Sequence, residues 1–177
     1  AHPSFGPVSI EGHYDEAIAA AGVAEQVRTP HALAADAVVI ACFGDPGLEA
    51  AREALDVPVL GIAEAAFHAA SFLSTGFSVV TTMTRTCVIA ERLVQRYGFE
   101  RHCRGIHGTD IPVLDLEDCN EGTVLHIETA AREALARDRS GAIVLGCAGM
   151  AALCAQLQQR LGVPVIDGVA VAVKFAE

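Results

Sequence analysis

The stretch AVVIACFG at residues 37–44 occurs again 105 residues later, in related form, as AIVLGCAG at residues 142–149. A second pair keeps nearly the same spacing: LDVPVL at residues 55–60 corresponds to LGVPVI at residues 161–166. Matches that share a register and place a cysteine at the same point indicate an internal duplication.

Each half predicts the same order of elements. An apolar run rich in β-branched residues is typical of a buried strand, and the cysteine stands at its carboxyl end in both halves. A helix comes before this strand, over residues 14–27 and 123–136, and a helix, a short strand and a last helix come after it. Continuous apolar strands that alternate with helices are typical of parallel sheets covered on both faces. We therefore predict an α/β fold.

The duplication predicts two parallel-sheet lobes related by a pseudo-twofold axis, with the site in the cleft between them. The first lobe would comprise residues 1–62 and 168–177, and the second residues 63–167. The second half opens with an apolar strand at residues 77–82 and a helix at residues 85–97. Their counterparts in the first half would fall before residue 1. We therefore expect the first lobe to lack an N-terminal strand and helix.

Composition excludes several classes of protein. The 177 residues are 52% hydrophobic, with a mean hydropathy of +0.39. The uncharged stretch at residues 140–159 is interrupted by glycines and ends in glutamines, which favours a strand followed by a helix over a membrane span. A net charge of −10 and twelve dispersed Lys and Arg residues disfavour a nucleic-acid partner. The absence of a signal-peptide pattern favours reduced thiols and a cytoplasmic location.

Cys42 and Cys147 are the candidate catalytic residues. Open parallel sheets bind ligands beyond the carboxyl ends of their strands, so two facing lobes would bring both thiols to one ligand from opposite sides. Racemisation of a carbon acid needs this arrangement, since a base and an acid must act on opposite faces of a planar intermediate. A helix N-terminus lowers a thiol pKa, and we expect Asp45 to cap a helix just after Cys42. The backbone N–H groups of residues 43–44 and 148–149 would then hold the enolate oxygen.

The other cysteines are expected to be structural, because a buried cysteine ordinarily behaves as a small hydrophobic residue. They are Cys87, Cys103, Cys119 and Cys154. No Cys-x-x-Cys pair occurs, and His102, Cys103 and His107 lack a standard ligand spacing, so we predict no metal site.

Six motifs cover essentially the whole chain in one order. They are SIEGHYDE at 9–16, IACFGDPG at 40–47, GIAEAA at 61–66, VVTT at 79–82, VLGCAGM at 144–150 and VIDGV at 165–169. On these motifs the sequence resembles the aspartate/glutamate/hydantoin racemase superfamily, and in particular its hydantoin and allantoin racemase branch.

The resemblance implies racemisation without a cofactor or metal, carried out by Cys42 and Cys147. It also implies a small-molecule substrate, with no nucleic-acid or membrane partner, and a homo-oligomer. The substrate-binding residues that it implies are Ile10, Phe43, Gly44, Thr82, Ala148 and Gly149. Members of this superfamily begin with a strand that carries ligand-binding polar groups, and no such strand occurs in this sequence.

One departure bears on the substrate. The amino-acid racemases of the superfamily follow the second cysteine with Thr-His, whereas Ala148 and Gly149 follow it here, which favours a neutral ring. We therefore expect a racemase of 5-substituted hydantoins, allantoin included. An amino-acid racemase, a decarboxylase of the same superfamily that keeps only the second cysteine, and a two-lobed ligand-binding protein with inert cysteines are the alternatives.

Overall fold

Parallel strands and the helices that connect them alternate along the chain in a computed structural model, which describes residues 1–116 and 120–177. Cys119 lies outside the described residues. The strands are β1 (Val38–Ile40), β2 (Val59–Gly61), β3 (Phe77–Thr81), β4 (Cys103–Gly108), β5 (Ala142–Leu145) and β6 (Val165–Ile166). The helices are α1 (His13–Gln26), α2 (Pro30–Leu33), α3 (Leu48–Ala54), α4 (Ile62–Leu73), α5 (Cys87–Arg96), α6 (Glu121–Asp138), α7 (Cys154–Leu161) and α8 (Gly168–Ala176). Short 3₁₀ helices span Thr84–Thr86, Val113–Leu116 and Ala148–Leu153.

The strands form two parallel sheets. One pairs β1 with β2, and the other has the order β4-β3-β5-β6. All the strand pairs in the described residues are parallel, which confirms the predicted α/β fold. Strand β4 was not predicted, because its sequence CRGIHG contains two glycines and a charged residue in place of an apolar run.

The central strands β3 and β5 of the larger sheet are buried on both faces. Val79 and Val144 pack with α4, α5 and α8 in one cluster, while Val80 and Leu145 pack with α6 and α7 in another. Successive residues of a strand point to opposite faces, so a strand with helices on both sides is expected to be mostly apolar. Ser78 of β3 is a buried exception, and its hydroxyl donates to the carboxylate of Asp138 at 2.6 Å. This packing accounts for the high hydropathy of the chain. None of the helices in the described residues has the length and apolar composition needed to cross a bilayer.

The duplication extends to individual hydrogen bonds. The N–H of Val38 in β1 donates to the carbonyl of Pro58 at 2.9 Å, and the N–H of Ile143 in β5 donates to the carbonyl of Pro164 at 3.0 Å. The equivalent pairs β1-β2 and β5-β6 therefore share one register. The division into lobes at residues 62 and 168 remains a prediction.

Asp45 does not cap the helix that follows Cys42, so that prediction was wrong. Helix α3 begins at Leu48, and its N-cap is Gly47, which lies in the left-handed region with a φ of 71° and offers no side-chain cap. The carboxylate of Asp45 is turned away and bonds the start of α4. A loop therefore separates Cys42 from the next helix, whereas Cys147 directly precedes the 3₁₀ helix Ala148–Leu153.

The two equivalent strands β1 and β5 differ in one respect. Strand β5 is paired on both sides, by β3 and β6, whereas in residues 1–116 and 120–177 strand β1 is paired by β2 alone. The other edge of β1 borders a groove of about 480 Å³ that α1 and the N-terminal residues also line. N–H groups alternate in direction along a strand, so the N–H of Val39 points to this open edge.

This difference predicts unequal amide exchange. Val39 and its counterpart Val144 have similar neighbours in sequence. However, β5 is paired with a strand on both edges at Val144, whereas one edge of β1 is open at Val39. We expect the amide of Val39 to exchange about 100-fold faster in heavy water, because exposed backbone groups open locally at little cost. Hydrogen exchange followed by NMR measures both sites in one sample. Equal protection at the two valines would show that the edge of β1 is covered in solution.

Candidate active site

A cavity of about 290 Å³ opens beyond the carboxyl ends of β1, β3 and β5. Its walls include all the residues that were predicted for the site. They are Ile10, Cys42, Phe43, Gly44, Thr82, Cys147, Ala148 and Gly149. The fold thus brings into one cavity residues from four separate parts of the chain, while their individual roles remain predictions.

The two cysteines occupy equivalent positions. Cys42 lies two residues beyond the end of β1, and Cys147 lies two residues beyond the end of β5. The N–H of Gly44 donates to the sulfur of Cys42, and the N–H of Gly149 donates to the sulfur of Cys147. Each strand end therefore forms the same turn, in which the glycine two residues later contacts the thiol.

Burial keeps both thiols protonated at neutral pH. It raises the pKa of Cys42 to about 11, against the opposing effect of the Gly44 N–H, and the nearby Cys147 adds to the rise. Burial likewise raises the pKa of Cys147, although the N–H groups of Gly149 and Met150 partly offset this. The prediction that helix N-termini lower these pKa values was therefore wrong. The desolvation of a buried thiolate outweighs the backbone donors, and no helix begins directly after Cys42.

The backbone N–H groups beside the two cysteines include the candidate oxyanion donors. Those of Gly44 and Gly149 act on the thiols and lower their pKa values against the effect of burial. Within the described parts of the chain, no carbonyl or side chain accepts from the N–H of Phe43 or Ala148. Both residues line the cavity, so their N–H groups are candidates to bind an oxygen of the ligand.

Threonines at the end of β3 line the same cavity as the two thiols. The hydroxyl of Thr81 donates to the carbonyl of Gly146 at 2.8 Å, which joins the ends of β3 and β5. Thr82 is buried, and its carbonyl accepts from the N–H of Thr109 at 2.9 Å. The position of Thr82 in the cavity wall is thus determined by the backbone of the neighbouring strand.

Sequence reasoning missed several wall residues. They are Pro7, Val8, Ser9, Glu16, Ile89, Ala90 and Val113, among others. A signal did exist for Pro7, Val8 and Val113, because Pro7-Val8 and Pro112-Val113 are related by the same shift of 105 residues as the cysteines. Val8 and Val113 therefore line the cavity as equivalent residues of the two halves.

Hydrogen bonds and ion pairs of two carboxylates, those of Glu11 and Glu16, hold the N-terminal segment against the rest of the cavity wall. Glu11 accepts from the N–H of Val113 at 2.9 Å and from Arg85 at 2.8 Å. Glu16, which also lines the cavity, pairs with Arg92 at 2.7 Å. These contacts hold Ile10 and its neighbours over the thiols.

Charge in the cavity wall is sparse. Among the described residues that line the cavity, Glu16 is the charged side chain, and none is Lys, Arg or His. Most of the other lining residues are apolar or glycine, which suits an uncharged ligand. The described residues contain no group of three or more His, Cys, Asp or Glu that is arranged to hold a metal ion.

Known proteins share this architecture and much of the sequence. The model of the Asp/Glu/Hydantoin racemase family matches residues 1–176. A hydantoin racemase of Rhizobium meliloti is 49% identical over 176 residues, which cover 99% of this chain and 73% of that protein. The structure of an allantoin racemase from Klebsiella pneumoniae superposes with a TM-score of 0.94 at 55% identity, covering 98% of this chain and 71% of that one.

A more distant structure shares the fold alone. Arylmalonate decarboxylase superposes with a TM-score of 0.67 at 22% identity, over 93% of this chain and 76% of that chain. The match of the family model over nearly the whole length, together with the two closer relatives, settles the classification. The chain belongs to the Asp/Glu/Hydantoin racemase family.

Proposed function

We propose that the protein racemises 5-substituted hydantoins, allantoin included, without a cofactor, and that Cys42 and Cys147 move the proton. One observation carries the proposal: two cysteines at equivalent strand ends line the same cavity, each with the N–H of a glycine donated to its sulfur. An inert structural cysteine has no reason to be duplicated in this way at the carboxyl end of a parallel sheet, where ligands bind. The names of the two closer relatives agree with this substrate class.

The proposed reaction is a proton transfer across a planar intermediate. The stereocentre of such a ring lies between a carbonyl group and a nitrogen, so its carbanion is delocalised into the carbonyl. One cysteine, as thiolate, takes the proton, and the electron pair of the broken C–H bond moves to the carbonyl oxygen. The thiol of the other cysteine then returns its own proton to the opposite face, which leaves the two sulfurs with their charges exchanged. The step balances without an added reactant.

Backbone donors fit the two charges that this reaction creates. The N–H groups of Gly44 and Gly149 stabilise whichever sulfur is ionised. The N–H groups of Phe43 and Ala148 are the candidates for the developing enolate oxygen. Preorganised donors of this kind stabilise charge where it appears in the transition state.

The composition of the wall argues against an amino acid as substrate. A zwitterionic amino acid carries a carboxylate, which needs a cationic or strongly donating partner when it is buried. The lining residues in the described chain provide Glu16 and hydroxyl groups but no cation. A hydantoin ring has no such requirement, since it is neutral.

Isotope exchange tests the proposed function. We expect a single enantiomer of allantoin or of a 5-benzylhydantoin, incubated with the protein in heavy water, to lose optical rotation while deuterium enters the stereocentre. Polarimetry and NMR follow the two events in parallel. Single enantiomers of aspartate and glutamate are the comparison and are expected to stay unchanged. Loss of optical rotation with the amino acids but not with the hydantoins would favour the alternative, an amino-acid racemase. No loss of rotation with either hydantoin would refute the proposed function.

Substitution of each cysteine tests the two-base mechanism. We expect Cys42→Ser and Cys147→Ser each to abolish racemisation, because a serine hydroxyl is too weak an acid to replace either thiol at this site. Each variant keeps one base, so one enantiomer is still expected to exchange its proton with retention. Cys154→Ser is the matched control, since the sulfur of Cys154 donates to the Val165 carbonyl and its side chain is absent from the cavity wall. Full racemase activity in either cavity variant would rule out the mechanism.

The raised thiol pKa values predict the dependence of activity on pH. Little thiolate is present at neutral pH, because burial raises the pKa of Cys42 to about 11 and raises that of Cys147 as well. We therefore expect kcat/KM to rise about tenfold per pH unit from about pH 7 to about pH 9, as the singly ionised pair becomes more populated. Initial rates measured polarimetrically in a constant-ionic-strength buffer series give this slope. A rate that is flat over this range would mean that one thiolate is already formed at neutral pH.

A further inference from the structure

Asp45 is a buried charged residue that the proposed mechanism leaves without a role. It is 2% exposed and lies three residues beyond Cys42, and its own N–H donates to the Cys42 carbonyl at 2.9 Å. Its backbone has a φ of 44°, a left-handed conformation that aspartate adopts at some cost. A buried carboxylate in a strained turn beside a candidate catalytic residue calls for a physical explanation.

The carboxylate of Asp45 accepts three hydrogen bonds from outside its own loop. Its two oxygens accept from the N–H groups of Ala63 and Glu64, both at 3.0 Å, at the start of α4. The hydroxyl of Tyr97, at the end of α5, donates to it at 2.9 Å. Burial raises the pKa of Asp45 to about 6, so the carboxylate that these donors require predominates at neutral pH.

Gly61 makes room for this contact. A Cβ atom at Gly61 would lie 2.3 Å from the carboxyl carbon of Asp45, far inside contact distance. The φ of Gly61 is −87°, so its backbone does not demand glycine. The close approach of the Asp45 carboxylate is what requires glycine at this position.

Helix α8, the counterpart of α4 in the second half of the chain, is capped by a neighbouring residue and not by a distant one. There the residue equivalent to Gly61 is Asp167, which caps α8 locally by accepting from the N–H groups of Val169 and Ala170 at 2.9 and 3.2 Å. The residue equivalent to Asp45 is Met150, which is fully buried. The first half has therefore exchanged a local cap for one that is delivered from the loop of Cys42.

The contacts of Asp45 connect the two sides of the cavity. Helix α5, which ends next to Tyr97, contributes Ile89 and Ala90 to the cavity wall. Helix α4 packs in one cluster with β5, whose carboxyl end leads to Cys147. The carboxylate thus ties the loop of Cys42 to the elements that position the opposite wall.

We propose that Asp45 is a positioning residue: its bonds to α4 and Tyr97 set the place of the Cys42 thiol relative to Cys147. The inference rests on the proposed racemase function only for its catalytic consequence, because the anchoring of the loop is a property of the folded chain. Asp45 itself does not touch the substrate.

Three substitutions weaken the anchor in different ways. Asp45→Asn removes the charge while keeping the shape, Gly61→Ala displaces the carboxylate while keeping its charge, and Tyr97→Phe removes one donor. Asp167→Asn is the matched control, because it makes the same chemical change in the cap of the equivalent helix. Circular dichroism and thermal melting identify which variants are folded.

The first readout is thiol accessibility, which does not depend on activity. Each folded variant is treated with iodoacetamide, and peptide mapping by mass spectrometry gives the alkylation rates of Cys42 and Cys147 separately. We expect Asp45→Asn and Gly61→Ala to raise the ratio of Cys42 to Cys147 alkylation about tenfold, as expected for losing hydrogen bonds to a charged group. Tyr97→Phe should raise it less, and Asp167→Asn should leave it unchanged. Gly61→Ala keeps the charge of Asp45, whereas Asp45→Asn removes it. A rise of the alkylation ratio in both variants therefore shows that the position of the carboxylate, and not its charge, causes the effect.

The second readout is exchange at each face of the substrate. Deuterium exchange is measured for both enantiomers of the hydantoin, and Cys42→Ser identifies the enantiomer whose proton faces Cys42. We expect the anchor variants to slow exchange of that enantiomer selectively, through kcat more than through KM. A general loss of structure would slow both enantiomers alike.

The outcomes separate the two proposals. An unchanged alkylation ratio in a folded anchor variant, or an equal rise at both cysteines, would overturn the role of Asp45 whether or not the protein is active. If Asp45→Asn and Gly61→Ala do not fold, Tyr97→Phe decides by the same criterion. A raised ratio in a protein that racemises neither hydantoin would support the anchor and refute the proposed function.

Discussion

The burial of the central parallel strands on both faces is the constraint on which the rest of the structure depends. Val79 and Val80 of β3 face opposite helix layers, as do Val144 and Leu145 of β5. Such strands are mostly apolar on both faces, so a ligand is most readily reached by side chains that lie where the strands end. Thr81 and Thr82 close β3, and Cys147 follows β5, at the edge where the loops begin. The cavity lies at this edge, beyond the carboxyl ends of the strands, where open parallel sheets bind their ligands.

The same burial has a cost for reactivity. A thiol in this cavity is shielded from water, which raises its pKa and leaves little thiolate at neutral pH. The glycine N–H groups offset part of the cost at both sulfurs. A reaction in which the two cysteines exchange roles needs a backbone donor at each of them, since each sulfur in turn carries the charge. The duplicated turn provides such a donor in both halves of the chain.

The duplicated strands, the positions of both cysteines and the parallel arrangement could be predicted from the sequence, because each depends on local apolar patterns that occur twice. Strand β4 could not, since its apolar content is low and its pairing with β3 is a tertiary contact. The partner of Asp45 could not be predicted from the local sequence either. A carboxylate just before a helix predicts a cap for that helix, but the helix that Asp45 caps begins 17 residues later, at Ile62. The predicted lowering of the thiol pKa values was wrong for a similar reason. Burial depends on the whole fold, and its effect on the pKa outweighs that of a nearby backbone donor.

A crystal structure with a 5-substituted hydantoin bound tests the central claim most directly, since it measures where both sulfurs lie relative to the stereocentre. The account predicts that the ring lies between Cys42 and Cys147, with each sulfur within about 3.5 Å of the ring stereocentre, on opposite faces, as a near-attack geometry requires. A ring bound outside this cavity, or with both sulfurs on the same face, would contradict the two-base account.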